Sequence, residues 1–373
     1  MKKMFSLAAM FAALSYASPA SAEVTLNGEV GLRLRDDFGN TTSAANVKAN
    51  TEDQYLQYRV RLKPSADLGE GYFVKALFQN EGVAGGWNSL SANNTEQYQI
   101  EASQFFFGHA DASSHWVVGR IPLNSLDNPI LDLTLYAIPG TGPQGTKLYA
   151  VDTPIYTNHF DRLVGFNYGT KIGDGELNAV VVNFDNVSTP TTATSPATTD
   201  HGLFNDGYGF TVNYKANIGD VTFVPQGFVT LTHLADGRAP YSFGTQAFIP
   251  AGKSKISLSG FYTGDSNTGV QYVAAPNTTI KYDYSGYIFR VKGESGPVLA
   301  WVDYNRTKDN ANTITYNNTF VWAQYVFKVQ ESNKGTFTLQ PTIKYRASGS
   351  KTDAGVSTTN DLFRTELYAT VSF

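Results

Sequence analysis

Apolar and polar residues alternate at every second position through most of this 373-residue chain. An alternation with a period of two places the apolar residues on one face of an extended strand and the polar residues on the other. The pattern recurs near residues 55–63, 208–215 and 337–346, and no long helical periodicity interrupts it. We therefore predict an all-β chain. The first such strand has one apolar face, Val24, Leu26, Val30, Leu32 and Leu34, and one polar face, Thr25, Asn27, Glu29, Arg33 and Arg35.

Strand and connection lengths indicate how these strands are arranged. The predicted strands are about 9–13 residues long, which suits tilted strands that span a membrane better than the shorter strands of a sandwich. Short turns rich in Gly and Asp alternate with longer polar loops, as in an up-and-down barrel with turns at one rim and loops at the other. Seven turns and eight loops predict sixteen strands, with fourteen to eighteen left open. The turns lie near 67–71, 110–115, 173–175, 218–220, 250–253, 293–297 and 331–335, and the loops near 37–52, 82–97, 121–158, 186–206, 234–241, 264–279, 308–318 and 348–360.

Composition favours one large barrel over two soluble domains. Charged residues make up 16% of the chain, against about 25% in ordinary soluble proteins. The chain has 24 Phe, 22 Tyr and 34 Gly but no Cys, which excludes disulfides, thiolate metal sites and a Cys nucleophile. The formal net charge of −4 disfavours a nucleic-acid groove. A soluble β-sandwich is the alternative, but it does not explain long strands with connections of alternating length.

The N-terminus carries the pattern of a secretory signal. Lys2 and Lys3 precede an apolar stretch at residues 4–14, and Ala20-Ser21-Ala22 supplies the small residues of a cleavage site. An ordinary N-terminal helix is the alternative interpretation. We predict a signal peptide at residues 1–22, followed by one barrel domain at residues 23–373.

The last strand ends in Phe373 and has apolar residues at every second position before it. This end looks like the assembly signal of bacterial outer-membrane barrels. Together with the signal peptide and Gly119-Arg120, it makes the chain resemble the trimeric porins of Gram-negative bacteria. The resemblance implies a homotrimer in the outer membrane, contacts with outer-membrane lipids or lipopolysaccharide, and insertion by the barrel-assembly machinery. A loop near 82–97, which contains Trp87, is then a candidate for the latch between subunits.

The resemblance also implies a pore constriction. In this family a Gly-Arg at the end of the fifth strand precedes a long third loop that folds into the barrel, and here Gly119-Arg120 precedes the longest connection, residues 122–158. Apolar residues between 130 and 138 favour a loop packed against the inner wall; a trimer contact and an added hairpin remain alternatives. The implied layout places basic residues on the wall and acids on the loop. The candidates are Arg33, Arg35, Arg59, Arg61, Lys63, Lys75 and Arg120 on the wall, and Asp127, Asp132 and Asp152 on the loop.

Other interpretations of these residues remain open. In one of them the arginines lie near the rims and bind lipid phosphates or each other. In another, the wall arginines and the loop acids pair with one another, which leaves a smaller net field. Asp127 and Asp132 are spaced such that they could hold Ca²⁺, but spacing alone is weak, and we assign no metal and no cofactor.

We find no HExxH, GxSxG or P-loop motif, and the five His residues show no catalytic pattern, so we do not expect an enzyme. The predicted function is passive diffusion of ions and small hydrophilic solutes through a water-filled channel. A substrate-selective channel for sugars or anions, with lumen aromatics such as Tyr55, Trp301 and Tyr368, is the alternative. A barrel-anchored adhesin or structural surface protein ranks below both, because most loops are short.

Overall fold

The computed structural model describes residues 23–80, 87–90, 100–122, 162–185, 207–232, 239–271 and 278–373. All regular structure in these ranges is β-strand. The strands are β1 (Glu23–Thr42), β2 (Lys48–Gly69), β3 (Tyr72–Gln79), β4 (Asn88–Ser89), β5 (Glu101–Ala110), β6 (Ser114–Pro122), β7 (Arg162–Ile172), β8 (Gly175–Asp185), β9 (Gly207–Ile218), β10 (Val221–Thr230), β11 (Tyr241–Ala251), β12 (Ser254–Gln271), β13 (Thr278–Ser295), β14 (Val298–Asp309), β15 (Ile314–Tyr325), β16 (Phe327–Ser332), β17 (Gly335–Thr352) and β18 (Ser357–Ser372).

The strands form one closed antiparallel barrel. Except around the short strands β4 and β16, each strand pairs with its neighbours in sequence, and β18 returns to pair with β1 from Glu29↔Ser372 to Thr42↔Thr359. Two of the eighteen strands do not occupy a position of their own around the barrel wall; we call each such position a stave. The two-residue β4 pairs with β2 beyond the end of β3, while β16 continues β15 past Val326 and both pair with β17. The barrel therefore has sixteen staves, as predicted, and closure excludes the sandwich.

The seven predicted turns are confirmed, and they all lie at one rim. Gly residues with positive φ occupy several of them, for example Gly173 and Gly219, both at φ 60°. The predicted loops at 37–52, 308–318 and 348–360 are mostly strand instead, since β1, β2, β14, β15, β17 and β18 extend into them. The predicted strand length of about 9–13 residues is confirmed for β5 to β11 and for β14. It is too short for the strands near the chain ends, since β1 has 20 residues and β2 has 22. Polar residues continue these ladders because backbone pairing needs no apolar face.

The two faces of the barrel differ in chemistry. The outer face is a belt of exposed apolar side chains, including Leu32, which is 49% exposed, Phe107 and Val302. The inner face is crowded and mainly polar, and it buries amides, hydroxyls and charged groups. This is the reverse of a soluble domain, in which apolar side chains face inward and polar ones face the solvent.

Chain closure also involves the last residue. Gly28 N donates to Phe373 O at 2.8 Å, and Phe373 N donates to Gly28 O at 3.0 Å. The Phe373 ring lies directly against Gly28, where a side chain would collide with it. The predicted signal peptide and most of the predicted third loop lie outside the described residues. Within those residues, no helix is long and apolar enough to span a membrane.

Candidate functional site

The inner wall where the two chain ends meet carries a cluster of charged side chains. Its centre is the carboxylate of Glu366 on β18, which accepts hydrogen bonds from Arg35 Nε at 2.6 Å and from the hydroxyl of Tyr368 at 2.6 Å. Lys344 Nζ on β17 lies 2.5 Å from Glu366, and Arg33 Nη1 lies 3.3 Å from it. Arg33, Arg35, Lys344 and Glu366 are each at most 4% exposed. Three buried cations thus share one buried carboxylate, and charge-assisted hydrogen bonds of this kind are what make burial of ions tolerable.

A second set of contacts adjoins this cluster toward the loop rim. Arg364 on β18 donates two hydrogen bonds to the carboxylate of Asp37 on β1, and the bond from Nη2 to Oδ2 is 2.6 Å long. The hydroxyl of Tyr55 donates to Asp37 Oδ2 at 3.1 Å and accepts from Arg35 Nη1 at 3.0 Å. Cross-strand register causes these contacts, because Asp37 lies opposite Arg364 across β1 and β18. The Tyr55 hydroxyl therefore joins the two ion-paired groups into one network.

Trp87 covers part of this wall from inside the barrel. Its ring lies 4.7 Å from the guanidinium carbon of Arg33 and 4.5 Å from that of Arg59, and it meets the Tyr368 ring edge-on at 5.3 Å. Arg59 also forms an ion pair with Glu29. The side chain of Trp87 is only 6% exposed. It therefore points inward and contacts this wall, while most of the loop near 82–97 lies outside the described residues, so the latch remains a prediction.

Cations and aromatic rings continue from the cluster along the neighbouring strands. Trp301 on β14 and Trp322 on β15 stack at 4.6 Å with a 12° angle between their planes. Lys344 Nζ lies 3.9 Å from the Trp322 ring centre, and the guanidinium carbon of Arg290 lies 5.3 Å from that of Trp301. Arg290 in turn forms a bidentate ion pair with Asp303 at 2.5 and 2.7 Å. The two tryptophans are thus held between cations on both sides, an arrangement that the ring quadrupole favours.

The opposite wall, built from the middle parts of β8 to β11, is neutral. Its inward side chains are amides, hydroxyls and apolar groups, most of them buried. Gln226 Nε2 donates to Thr211 Oγ1 at 3.2 Å, and Ser242 and Thr263 are hydrogen-bonded. The inward residues of this neutral wall include Asn178, Val180, Val182, Thr211, Asn213, Val224, Gln226, Phe228 and Ser242.

The structure brings only some of the candidate residues together. Arg33, Arg35 and Arg59 lie in the charged cluster, and Arg61 donates to Gln79 at 2.9 Å on the same inner face. Lys63 and Lys75 also face inward but lie nearer the turn rim and are exposed, with Lys75 Nζ 4.9 Å from the Phe73 ring centre. Asp127, Asp132 and Asp152 lie outside the described residues.

The structure contradicts the predicted position of Arg120 on the inner wall. It lies directly opposite Phe105 on β5 and Val164 on β7, both of which are more than half exposed on the outer face. Residues directly opposite in a ladder share a face, so Arg120 faces outward. Its neighbours Gly119 and Ile121 face the lumen instead. Gly119-Arg120 correctly predicted the end of this strand. The predicted face of Arg120 was wrong, because a shift of one residue moves a side chain to the other face of the sheet.

The sequence analysis did not predict several residues of this inner wall. They are Lys344, Arg364 and Glu366, the neighbouring Arg346, which donates to Asn360 at 3.0 Å, and Trp87 in its inward position. The alternation places the first four on a polar face. What was missing is the register that joins the last strand to the first, which puts Glu366 opposite Arg35. No group of three or more His, Asp or Glu side chains suited to a metal ion occurs in the described part of the chain.

No protein-family model and no curated protein sequence matches the chain. Solved structures do match. An anion-selective porin from Comamonas acidovorans superposes with a TM-score of 0.52 at 15% identity, covering 94% of this chain and 100% of that one. OmpT, an outer membrane protein of Vibrio cholerae, gives 0.51 at 11% identity over 95% and 99% of the two chains. Its trimer form gives 0.50 at 10% identity over 92% and 99%. Together with the sixteen-stave closure, these matches confirm that the chain has the fold of the Gram-negative outer-membrane porins.

Proposed function

We propose that the chain forms a water-filled channel in the outer membrane, through which ions and small hydrophilic solutes diffuse passively. The observation that carries this proposal is the inversion of the two faces. A closed barrel leaves no unpaired strand edge, its exposed apolar belt suits hydrocarbon, and its polar interior suits water. A soluble protein would have no use for such a belt.

Conductance in planar bilayers tests the proposal. The purified mature chain should produce discrete ohmic steps whose size rises in proportion to salt concentration. If the folded protein inserts and no steps appear at any voltage, the channel proposal fails. N-terminal sequencing of the exported protein tests the proposed signal peptide, since cleavage after Ala22 should yield a chain that begins at Glu23.

We call the inner wall formed by β17, β18, β1 and β2 the charged wall. Its side chains support a preference for anions over cations. Arg33, Arg35, Arg59, Lys344 and Arg364 outnumber the acids that contact them, Glu29, Asp37 and Glu366. Rings of basic side chains favour anion passage through pores, and one of the structurally similar proteins is an anion-selective porin. We propose that Asp127, Asp132 and Asp152 on the third loop moderate this preference. The reversal potential in a KCl gradient should have the sign of chloride selectivity, and the sign of potassium selectivity would contradict it.

A homotrimer is part of the proposal. A trimer form of the structurally similar OmpT exists, and conductance steps grouped in threes are expected. Chemical cross-linking and electrophoresis of unheated protein should give a band three times the monomer mass. A band near the monomer alone would contradict the trimer and leave the channel itself intact.

Substrate selectivity is the second candidate function. The stacked Trp301 and Trp322, with Lys344 and Arg290 beside them, place aromatic surface and positive charge together on the inner wall. Such a surface suits small anions or sugars. Current block that saturates as one solute is added would favour selectivity, whereas conductance independent of the added solute would favour general diffusion.

A further inference from the structure

Four hydrogen-bond donors lie close together on the inner wall where β12, β13 and β14 are paired. Ser257 lies opposite Lys292, and Lys292 lies opposite Trp301, so these three residues form one row across the three strands. Ser259 lies on β12 two residues from Ser257, on the same face. The residue between the two serines, Leu258, is 41% exposed on the outer belt, which places both serines on the inner side. We call Ser257, Ser259, Lys292 and Trp301 the donor cluster.

Three members of the donor cluster carry a polar atom that the described part of the chain leaves unsatisfied. The hydroxyls of Ser257 and Ser259 and Nε1 of Trp301 are buried atoms without a hydrogen-bond partner among the described residues. Ser257 is 1% exposed and Ser259 is 6% exposed. A buried polar group without a partner costs free energy. Three such groups in one small area of the wall therefore indicate a place for a hydrogen-bonding ligand.

The chemistry of the donors indicates what this ligand offers. An indole nitrogen only donates a hydrogen bond, and an ammonium group has three donors and no acceptor, so Trp301 and Lys292 both require acceptor atoms. The donors approach from three strands that lie about 4.8 Å apart, and they do not share a plane. A tetrahedral oxyanion presents acceptor oxygens in several directions, whereas a carboxylate presents two oxygens in one plane. The arrangement favours the tetrahedral group.

The charge around the donor cluster also favours an anion. Lys292 Nζ lies 2.6 Å from Glu294, and the side chain of Lys292 remains 32% exposed on the inner side. Lys255 lies opposite Glu294 across β12 and β13, so two lysines accompany one glutamate. The adjoining Arg290 and Asp303 pair with each other. Glu294 occupies one of the three donors of Lys292, and the remaining two can bind a ligand.

We propose that the donor cluster binds the phosphate group of a small solute in the lumen. Lys292 supplies the charge, Ser257 and Ser259 donate to oxygens from β12, and Nε1 of Trp301 donates to a further oxygen from β14. The stack on Trp322 at 4.6 Å holds the Trp301 ring in place, which preorganises its N–H for binding. This inference deepens the second candidate function, solute selectivity, and it rests on the proposed channel for access of the solute.

Isothermal titration calorimetry of the purified mature protein in detergent tests the proposal. The probes are inorganic phosphate, glycerol 3-phosphate and acetate. Ser257→Ala combined with Ser259→Ala removes the two hydroxyls, and Trp301→Phe removes the N–H but keeps an aromatic ring. The matched control is Ser242→Ala, which removes a buried inner-wall hydroxyl that is already hydrogen-bonded to Thr263. Heat-dependent mobility on electrophoresis establishes that each variant is folded.

The wild type and the control should bind both phosphates, and acetate should bind at least about tenfold more weakly. The double serine variant and Trp301→Phe should each bind phosphate about tenfold more weakly than the wild type, since the loss of a charge-assisted hydrogen bond has an effect of this order. Tighter binding of glycerol 3-phosphate would support a site for organic phosphates, and tighter binding of inorganic phosphate would support a site for the free ion.

Two results would overturn the site. One is equal phosphate binding by the control, the double serine variant and Trp301→Phe, because another part of the chain would then satisfy these donors. The other is acetate binding as tight as phosphate binding.

A second lysine pair provides the charge control. Lys292→Gln should abolish phosphate binding, whereas Lys328→Gln, which removes an exposed lysine that pairs with Glu331 near the turn rim, should leave it unchanged. Equal losses in the two variants would show that general positive charge, and not the donor cluster, attracts the phosphate.

Ion current in planar bilayers separates this inference from the proposed channel. In chloride solution, added phosphate should block the wild-type current and saturate at the calorimetric affinity. If the wild type binds phosphate in detergent but conducts no current, the channel proposal fails and the site stands. If the wild type conducts but does not bind phosphate, the site fails and the channel stands.

Discussion

The charged wall on β17, β18, β1 and β2 and the neutral wall on β8 to β11 face each other across the barrel, yet they are built in different ways. On the neutral wall, hydrogen bonds join residues close in sequence, such as Gln226 and Thr211. On the charged wall, Arg35 contacts Glu366 and Asp37 contacts Arg364, pairs that lie at opposite ends of the chain.

The contacts of the charged wall between β1 and β18 therefore form only after the barrel has closed. Local hairpins bring the amides and hydroxyls of the neutral wall together as soon as neighbouring strands pair. Arg33 and Arg35 of β1 contact the carboxylate of Glu366 only when β18 pairs with β1. Closure therefore decides the electrostatics of this side of the lumen.

The largest effect is expected from Glu366→Gln. It removes the carboxylate shared by Arg33, Arg35 and Lys344, all of which remain buried. Breaking a buried ion pair from one side costs about 3–5 kcal/mol, and the added positive charge should increase chloride selectivity. Urea unfolding and reversal potentials measure both effects. Glu176→Gln, which alters a more exposed carboxylate near the turn rim, is the matched control, and equal losses in the two variants would refute the special role of the charged wall.

Trp87→Ala should have the next largest effect. It removes a buried ring that contacts Arg33, Arg59 and Tyr368, and such truncations cost about 3 kcal/mol. Uncovering two guanidinium groups should also raise conductance and chloride preference. Trp87→Phe keeps a ring and should restore part of both. A variant with unchanged conductance and stability would show that Trp87 does not lie on this wall.

Gln226→Glu introduces charge into the neutral wall. Its neighbours across the strands are Asn213 and Gly244, neither of them a cation. The lost hydrogen bonding of the amide alone costs about 2 kcal/mol. The reversal potential should move toward cation selectivity, which would reduce the contrast between the walls. Gln226→Met is the uncharged control. If both variants shift the potential equally, charge on this wall is not the cause.

The smallest effect is expected at the turn rim, from Asp111→Ala. Hydrogen bonds from the backbone and side chain of Ser113 and from Ser114 lower the pKa of Asp111 well below its usual range. A lowered pKa stabilises the fold fully above the ordinary value of about 3.9 and loses that contribution as the pH falls through the folded-state value. Unfolding midpoints should therefore separate the variant from the wild type at neutral pH and converge in strong acid. A gap that widens in acid would reverse the assignment.

Much of the architecture was predictable from local patterns. Alternation assigned Arg33, Arg59 and Arg61 to the polar face, and Gly and Asp residues marked every turn, because both signals depend on neighbours along the chain. Strand ends were less predictable, since polar residues extend β1 and β2 well past the apolar belt. Arg120 was assigned to the wrong face because a one-residue error in register moves every side chain to the other side of the sheet.

The amino-acid sequence by itself determined that this chain forms successive antiparallel strands with one apolar and one polar face, and it predicted about sixteen of them, with fourteen to eighteen left open. Only the tertiary structure decided which polar residues meet. Glu366 lies next to Arg33 and Arg35 because β18 closes onto β1 in one register, and the ring of Trp87 lies against Arg33 and Arg59. Periodicity is a local property of the chain, whereas the contacts of Arg35 with Glu366 and of Asp37 with Arg364 depend on closure between strands that are more than 300 residues apart.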